Sequence, residues 1–429
     1  MQIIQRIKQN RLFSAIYILG SALSIASVMI VVVFLYVKLA DIYPERDRTH
    51  VYEITDCKVK TKNGFTSHDV GWYTCDLIEE ALGSCEGITA ISRGCGKDIY
   101  KVHPDDGMKP FEIVRNGVDH NFFDLYDFEI LAGNIFSKDD VESGIAKAVI
   151  SHRLAQRLYG SVDDAVGKPI KIHDVEYKVC GVVREPSFLM QNSFGQAYVP
   201  WKVARGNSWN VSWYRIIGPY TIKVRVEDDE AGKRLKETVD DVLRRVDLSG
   251  MQGFTDDPEL VADVHSLASK DFSMPAEFDW EDLLRKYGFM ILILLIVPAV
   301  NLGGMISGNM ETRMPEMGVR KSFGAGRGRL LRSVLSENFA LTSIGAVLGL
   351  VIAVVLVWGW KDWIFFLDDS IMADAPESVT VIITADMLFA PLVFAIAFVV
   401  TFMLNLFSAM LPVWWSLRNP IVKSLSEKK

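Results

Sequence analysis

Four long apolar runs constrain this chain more than any other feature of its sequence. They cover residues 12–37, 288–310, 339–360 and 387–417, and none of them contains an acidic or basic side chain. Each is long enough for the roughly 20 residues that a helix needs to cross a hydrocarbon layer of about 30 Å. Core helices of soluble proteins are usually shorter and keep a polar face. The pattern therefore predicts a membrane protein with a transmembrane domain of four helices.

The first apolar run is predicted to be an uncleaved membrane anchor. It is longer than the roughly 7–15 apolar residues of a secretory signal sequence. No A-x-A cleavage site follows it, because the chain continues as KLADIYPERD. Residues 1–11 carry three bases and no acid, with isoleucines on one helical face. We expect them to form a short amphipathic lead-in on the cytoplasmic side.

The short segments between the apolar runs predict the orientation of the chain. Segment 311–337 holds six basic and three acidic residues, and the tail 418–429 holds four basic and one acidic residue. Segment 361–386 has the opposite balance, with one basic and six acidic residues. Short basic segments remain on the cytoplasmic side of a membrane. We therefore expect a multi-pass membrane protein whose termini and segment 311–337 are cytoplasmic, while 361–386 and 41–284 lie outside.

The long segment 41–284 is predicted to fold as a large extracytoplasmic α/β domain between spans 1 and 2. Some of its runs alternate apolar and polar residues or are rich in β-branched residues, which is typical of strands. These runs cover residues 50–60, 177–183 and 220–226. Others have the apolar spacing of helices, and these cover residues 74–83, 151–160 and 231–246. Glycine-bounded short elements predict a subdomain inserted at about 117–218.

A helix is also predicted immediately before the second span. Residues 278–287 contain neither glycine nor proline and run directly into the apolar run that starts at Gly288. We expect one continuous helix that projects above the membrane as a stalk. Its candidate residues are Trp280, Leu283, Leu284 and Tyr287.

The apolar runs themselves predict helix packing rather than an ion pathway. Ion and proton pathways usually place ionisable side chains inside the membrane. Here only Glu337 stands close to a span, at the inner start of the third one. Gly303, Gly304 and Gly308 in the second run would allow helices to approach closely.

No catalytic or metal-binding pattern stands out. The chain lacks the G-x-x-x-x-G-K-[ST] loop that holds the phosphates of ATP and the H-E-x-x-H pattern of zinc peptidases. Its seven histidines are scattered through segment 41–284. We therefore expect no catalytic residue, no metal and no cofactor in this chain, and no nucleic acid as a partner.

The cysteines predict one or two disulfides. All five lie in segment 41–284, whose predicted compartment is oxidising: Cys57, Cys75, Cys85, Cys95 and Cys180. Five is an odd number, so at least one thiol must be unpaired or intermolecular. The connectivity does not follow from the spacing.

The residues of segment 311–337 repeat with a helical period, which a solvated basic loop does not require. Its apolar residues Met317, Val319 and Phe323 interleave with charged residues at helical spacing. Gly324 can end that helix. The stretch GAGRG, residues 324–328, is predicted to form a turn. A second helix then leads into the third span. The pattern predicts a short amphipathic helix at the inner face of the membrane, rigidly tied to two spans.

This segment resembles a motif of the FtsX-like, MacB-type ABC transporter permeases. The stretch RMPEMGVRKSFGAGRGRLLRSVLSEN, residues 313–338, has the family's spacing between two flanking spans. The matching positions are Arg313, Glu316, Met317, Gly318, Val319, Arg320, Lys321, Phe323, Gly324, Ala325 and Glu337. In segment 41–284, residues 117–136, 148–160, 165–172 and 177–185 resemble the periplasmic core domain of the same family.

The resemblance covers nearly the whole chain, with some departures. Some family members carry a fused ATPase and others have more spans, whereas this sequence shows neither. The cysteines are not typical of the family either.

The resemblance implies a permease that transmits mechanical force. A dimer of a separate ABC-type ATPase, with ATP and magnesium, would bind the ATPase-coupling residues Arg313–Ala325 named above. Its closure would draw together this chain and a second permease copy, identical or different. The stalk would then move the periplasmic domain, acting with membrane lipids, a periplasmic adaptor and an outer-membrane channel in export or efflux.

Two other functions remain open on the sequence. One is a membrane-anchored sensor or scaffold, such as a regulator of cell division or of a cell-wall hydrolase, or a lipoprotein-release protein with the same architecture. The other is an enzyme in the periplasmic domain, which no catalytic cluster supports. The cargo and the direction of transport are not readable from the sequence.

Overall fold

The chain folds into two compact units. The computed structural model describes residues 11–60, 66–67, 76–104, 107–205, 220–246, 259–271 and 326–361, with short pieces between 281 and 410. The first unit, called here the helical unit, comprises Met1–Val37, Trp280–Leu367 and Ile383–Lys429. The second, called the α/β unit, comprises Lys38–Asp279 and Asp368–Ile382.

The helices and strands of the described residues alternate along the chain. The helices are α1 (Arg11–Leu39), α2 (Asp76–Leu82), α3 (Phe122–Leu125), α4 (Lys138–Glu142), α5 (His152–Tyr159), α6 (Trp201–Arg205), α7 (Asp229–Arg244), α8 (Leu267–Asp271) and α9 (Arg327–Gly359). The strands are β1 (Val51–Lys60), β2 (Thr66–Ser67), β3 (Ile88–His103), β4 (Phe111–Val118), β5 (Ile130–Gly133), β6 (Lys147–Ser151), β7 (Pro169–Ile172), β8 (Val175–Val183), β9 (Ala197–Pro200), β10 (Thr221–Val226) and β11 (Glu259–Ser266).

Two helices of the helical unit are long and apolar enough to cross a membrane. Among the described residues these are Ser14–Leu39 of α1 and Phe339–Gly359 of α9. They coincide with the predicted first and third spans. Helix α9 starts twelve residues before its apolar part, at Arg327, as expected for a helix that leads out of the basic segment. The predicted second and fourth spans lie largely outside the described residues.

The α/β unit is built on one mixed sheet. Its strands follow the order β11-β1-β10-β3-β4-β9-β6-β8-β5, while β2 pairs with β1, and β7 pairs with β3 and β8. The pairs β4–β9 and β6–β8 are parallel, and the other pairs of the described strands are antiparallel. The predicted strands at 50–60, 177–183 and 220–226 are confirmed as β1, β8 and β10.

Local sequence explains the ends of the helices in this unit. The Asp228 side chain accepts a hydrogen bond from the Ala231 amide and so caps the start of α7. Ser151 caps α5 in the same way, and that helix ends at Gly160, whose φ of 80° is easily adopted only by glycine. The predicted helices at 74–83, 151–160 and 231–246 are confirmed as α2, α5 and α7.

The described residues of the α/β unit include two hydrophobic cores. In the first, the buried face of α7, including Leu235, Val239 and Leu243, packs with apolar residues of β1 and β10. The second joins β6, β8 and β9 to α5. It also includes Val102 and Ile113, which precede the subdomain predicted at 117–218, whereas Phe122 and Tyr126 within that range belong to the first core. Because β3 and β4 run through both parts of the sheet, the two cores share strands.

Candidate functional site

The predicted ATPase-coupling helix is visible at only a few positions. The Phe323 amide donates to the Val319 carbonyl at 3.2 Å, and the Ser322 hydroxyl donates to the same carbonyl at 2.7 Å. Val319 and Phe323 are both exposed, and Phe323 keeps 87% of its surface accessible. The other predicted coupling residues lie outside the described residues: Arg313, Glu316, Met317, Gly318, Arg320, Lys321, Gly324 and Ala325. The structure therefore shows an apolar residue presented on a helical turn just before α9.

The stalk and the third-span border are described only in part. Leu284 is helical and exposed, whereas Trp280, Leu283 and Tyr287 lie outside the described residues. Glu337 lies within α9, and its side chain is outside the described part of the structure. The proposed roles of these residues therefore stay predictions.

Helices α1 and α9 pack closely through small residues that the sequence analysis did not single out. A Cβ atom built on Gly345 would overlap the Ser21 hydroxyl, and one built on Gly349 would lie 2.6 Å from the Ala22 carbonyl oxygen. The Tyr17 hydroxyl and the Thr342 hydroxyl are 3.1 Å apart in the same interface. Glycines four residues apart are a known signal for close packing of membrane helices. Gly345 and Gly349 therefore define this interface, while Gly303, Gly304 and Gly308 lie outside the described residues.

A buried ion pair ties the start of the α/β unit to its interior. Arg48 donates to Glu45 Oε2 from Nη2 at 2.9 Å, and to the Lys38 carbonyl from Nη1 at 2.7 Å. Glu45 Oε1 accepts from both the amide and the hydroxyl of Ser193, each at 2.8 Å. Burial alone would raise the pKa of Glu45, but Arg48 and Ser193 outweigh burial and hold that pKa below its ordinary value. The pair locks the backbone at Lys38 onto the segment around Ser193.

A cluster of lysines surrounds Glu53 on the sheet next to this pair. Lys223 Nζ on β10 lies 3.8 Å from Glu53 Oε1 on β1, and Lys270 of α8 binds Glu53 Oε2. Lys97 of β3 donates to the Gln191 carbonyl and, at 3.1 Å, to Gln191 Oε1. We call Glu53, Lys97, Lys223 and Lys270 the lysine cluster. No sequence motif marks it, because its members come from separate elements and meet only in the folded sheet.

The lysines around Glu53 lead us to expect that the α/β unit becomes less stable in acid. Burial would raise the pKa of Glu53, but Lys223 and Lys270 outweigh burial and lower the pKa from 4.5 to about 2. A carboxylate with a depressed pKa stabilises the fold above its unfolded pKa, and this contribution is lost as the pH falls toward the folded pKa. We therefore expect part of the stability of the α/β unit to disappear between pH 4.5 and pH 2. Thermal unfolding between pH 5 and pH 3 should show a flatter pH dependence in Glu53→Gln than in the wild type, and equal slopes would contradict the assignment.

The segment after α9 contributes to the α/β unit. Ser378 donates from its hydroxyl to the Glu112 carbonyl of β4 at 2.5 Å, and its own carbonyl accepts from Gln196 Nε2 at 3.3 Å. Gln196 Oε1 also accepts from the Val114 amide at 3.1 Å. The segment containing Ser378, which lies in the predicted loop 361–386, therefore packs against the domain formed by the predicted segment 41–284.

Three of the cysteines are free thiols: Cys85, Cys95 and Cys180. Burial raises the pKa of Cys95 and of Cys180 to about 11, so both thiols are poor nucleophiles at neutral pH. The side chains of Cys57 and Cys75 lie outside the described residues. Cys85, Cys95 and Cys180 therefore form no disulfide within this chain, and the prediction of a second intrachain disulfide is wrong. Among the described residues, no group of His, Cys, Asp and Glu is placed to hold a metal ion.

Comparison with known proteins identifies both parts of the chain. A profile of the MacB-like periplasmic core domain matches residues 14–242, and a profile of the FtsX-like permease C-terminal domain matches residues 288–421. The order of these two domains along the chain agrees with the resemblance seen in the sequence.

Individual relatives are distant and mostly longer than the matched region. The pyoverdine export ATP-binding/permease protein PvdT of Pseudomonas savastanoi pv. phaseolicola is 25% identical over 55% of this chain and 34% of its own length. YknZ of Bacillus subtilis, named an uncharacterized ABC transporter permease, is 24% identical over 67% of this chain and 64% of its own length. The crystal structure of the periplasmic region of MacB from Actinobacillus actinomycetemcomitans covers 52% of this chain and 92% of its own, with 16% identity and a TM-score of 0.35.

The chain thus spans about a third of the length of the pyoverdine relatives. The core-domain match nevertheless takes in more than half of its 429 residues, and the second match follows it in the expected order. The chain therefore belongs to the MacB-type family of ABC transporter permeases, which joins a MacB-like periplasmic core domain to an FtsX-like permease C-terminal domain.

Proposed function

We propose that this chain is the membrane-spanning permease subunit of a MacB-type ABC transporter. In this proposal a separate ATPase subunit binds and hydrolyses ATP with magnesium. The permease converts the closure of that ATPase into movement of its α/β unit on the periplasmic side of the inner membrane. That movement performs export work, and the relatives named for pyoverdine and macrolide export support this over a sensor or scaffold.

The observation that carries the proposal is the exposed Phe323. Large apolar side chains are costly to leave in water and are commonly anchors for a partner protein. Phe323 lies on a helical turn with Val319, four residues before α9 begins at Arg327. From there α9 continues without interruption through Phe339–Gly359. A partner that moves Phe323 would therefore move a helix that reaches across the membrane.

The remaining parts of the proposal follow from the family. Four spans, with both termini in the cytoplasm, would place the coupling segment beside the ATPase. An ATPase dimer requires a second permease copy, identical or different. The predicted coupling residues Arg313, Glu316 and Gly318 would contact the ATPase next to Phe323. A periplasmic adaptor and an outer-membrane channel would receive the cargo.

Replacing Phe323 with aspartate is expected to release the ATPase. Loss of a central aromatic anchor typically costs about 2 kcal/mol or more of binding free energy, which is more than a ten-fold loss of affinity. The measurement is the amount of P-loop ATPase that copurifies with the tagged full chain from its own cells, determined by mass spectrometry. Ser322→Ala is the matched control, because Ser322 is exposed on the same turn.

Two results would count against the proposal. If no ATPase copurifies with the wild-type chain, the chain is not an ABC permease subunit under those conditions, and the sensor or scaffold alternative gains. If the ATPase copurifies equally with wild type and with Phe323→Asp, the chain binds its ATPase through another surface.

A further inference from the structure

Two lysines of the lysine cluster are held on consecutive carbonyl oxygens. Lys223 Nζ donates to the Asn192 carbonyl at 3.0 Å, and Lys97 Nζ donates to the carbonyl of the preceding residue, Gln191. The two ammonium groups come from β10 and β3, which are neighbours in the sheet. They are therefore brought to one place by the fold, at a backbone segment that both of them bind.

Positive charge exceeds negative charge at this place. The single carboxylate of Glu53 forms ion pairs with both Lys223 and Lys270. Lys97 forms no direct ion pair among the described residues, and its hydrogen bonds go to the neutral oxygens of Gln191. The charges of Glu45 and Glu53 act on Lys97 without a direct contact, and both carboxylates already have basic partners in Arg48, Lys223 and Lys270. Carbonyl oxygens satisfy the hydrogen-bond donors of an ammonium group but do not neutralise its charge. A bound anion would do so.

The cluster is also open to solvent. The Lys97 side chain is exposed, yet protein surrounds its ammonium closely enough that desolvation, together with the charge of Lys223, lowers its pKa to about 8. A small ion or a head group can therefore reach Lys97 without unfolding the unit.

Hydrogen bonds link the two lysines to the start of the α/β unit. Ser193 directly follows Gln191 and Asn192 and binds Glu45, which is paired with Arg48. Arg48 in turn binds the carbonyl of Lys38, the residue that follows the predicted span 12–37. This chain of contacts connects Lys97 and Lys223 to Lys38, the first residue of the α/β unit.

We propose that Lys97 and Lys223 form a binding site for a phosphate group, either free or on a phospholipid head group. A phosphate offers several acceptor oxygens to donors that approach from different strands. Lysine ammonium groups bind phosphate as point charges with freely rotating donors. The site belongs to the α/β unit and does not depend on the ATPase.

The test uses the full chain in a neutral detergent at pH 8. An amine-specific reagent labels the lysines, and peptide mass spectrometry gives the labelling rate of each one. The probes are inorganic phosphate, a short-chain phosphatidylglycerol and, as a lipid without phosphate, a short-chain diacylglycerol. A bound phosphate raises the pKa of Lys97 from about 8. A rise of about one unit would reduce its uncharged fraction, and hence its labelling rate, about five-fold. Lys101, exposed on the same strand, should not change.

The probes separate the two sources of phosphate. Slower labelling of Lys97 with both inorganic phosphate and phosphatidylglycerol supports a general phosphate site, and an effect of phosphatidylglycerol alone supports a lipid site. No effect of either, or an equal effect of the diacylglycerol, overturns the proposal, because a lipid without phosphate would then slow labelling only by covering the surface. In the variants Lys223 is the reporter: the slowing of its labelling by phosphatidylglycerol should be lost in Lys97→Met and kept in Lys97→Arg and Lys101→Met. Since no ATPase is present, a negative result leaves the proposed transport function untouched.

Discussion

Replacing Gly345 or Gly349 with leucine should separate α1 from α9. At both positions even a Cβ atom would collide with α1, at the Ser21 hydroxyl or at the Ala22 backbone. Extra atoms in a well-packed interface cost about 1–3 kcal/mol when neighbours can adjust. A helix backbone adjusts less readily than a side chain, so we expect the upper part of that range. Because α9 also carries the proposed force from Phe323, the same change should abolish transport.

The contact can be followed directly by cross-linking. Tyr17 and Thr342 touch through their hydroxyl groups, so cysteines at these two positions should be joined by a short thiol-reactive cross-linker. The cross-link should be lost when Gly345→Leu is added. Gly359→Leu is the matched control, because a Cβ atom on this glycine of the same helix meets nothing within 4 Å. An unchanged cross-link in Gly345→Leu would show that the two helices do not pack through this face.

Helices and strands that depend only on neighbouring residues could be predicted from the sequence. Helix α7 has a capping aspartate and apolar residues at helical spacing, and β10 alternates Ile222 and Val224 with Lys223 and Arg225. Such patterns are present in a single window of the chain. The long apolar parts of α1 and α9 are equally local, since length and composition alone define them.

The sequence could have indicated that α9 packs closely against another helix, but not which one. Gly345 and Gly349 lie four residues apart in an apolar run, and that spacing is the signal for close helix contact. The same composition occurs around Gly303, Gly304 and Gly308 in another run. The sequence shows which residues are small, but the partner helix and the contacting face follow only from the folded chain.

The lysine cluster could not have been predicted in this way. Its members lie on β1, β3, β10 and α8, and Glu53 and Lys270 are 217 positions apart in the chain. They meet because β10 inserts between β1 and β3 in the sheet. Each of these residues, taken alone, has the pattern of a solvated charge on a strand or a short helix. Only the strand order brings the three lysines together around one buried carboxylate.

Replacing Glu53 with glutamine should therefore have a large effect on the α/β unit. The change removes the carboxylate that Lys223 and Lys270 share, while both ammonium groups remain in place. Breaking a buried ion pair by removing one partner typically costs about 3–5 kcal/mol. Since Lys270 is partly exposed and water can screen its charge, we expect about 3 kcal/mol, the lower end of that range. The readout is hydrogen exchange in the full chain at amides of the β1–β10 ladder, where Glu53 faces Lys223.

Two further variants show whether charge is the cause. Glu129→Gln removes an exposed carboxylate that lies 3.4 Å from Arg184, and an ion pair of this kind contributes only about 0–1 kcal/mol. Exchange in that variant should remain close to wild type, and the same behaviour in Glu53→Gln would refute the prediction. Glu53→Met combined with Lys223→Met should recover most of the loss, because replacing both partners of a buried pair by apolar residues is often neutral. Recovery in the double variant would show that the unpaired lysine, rather than the lost shape of Glu53, destabilises the sheet.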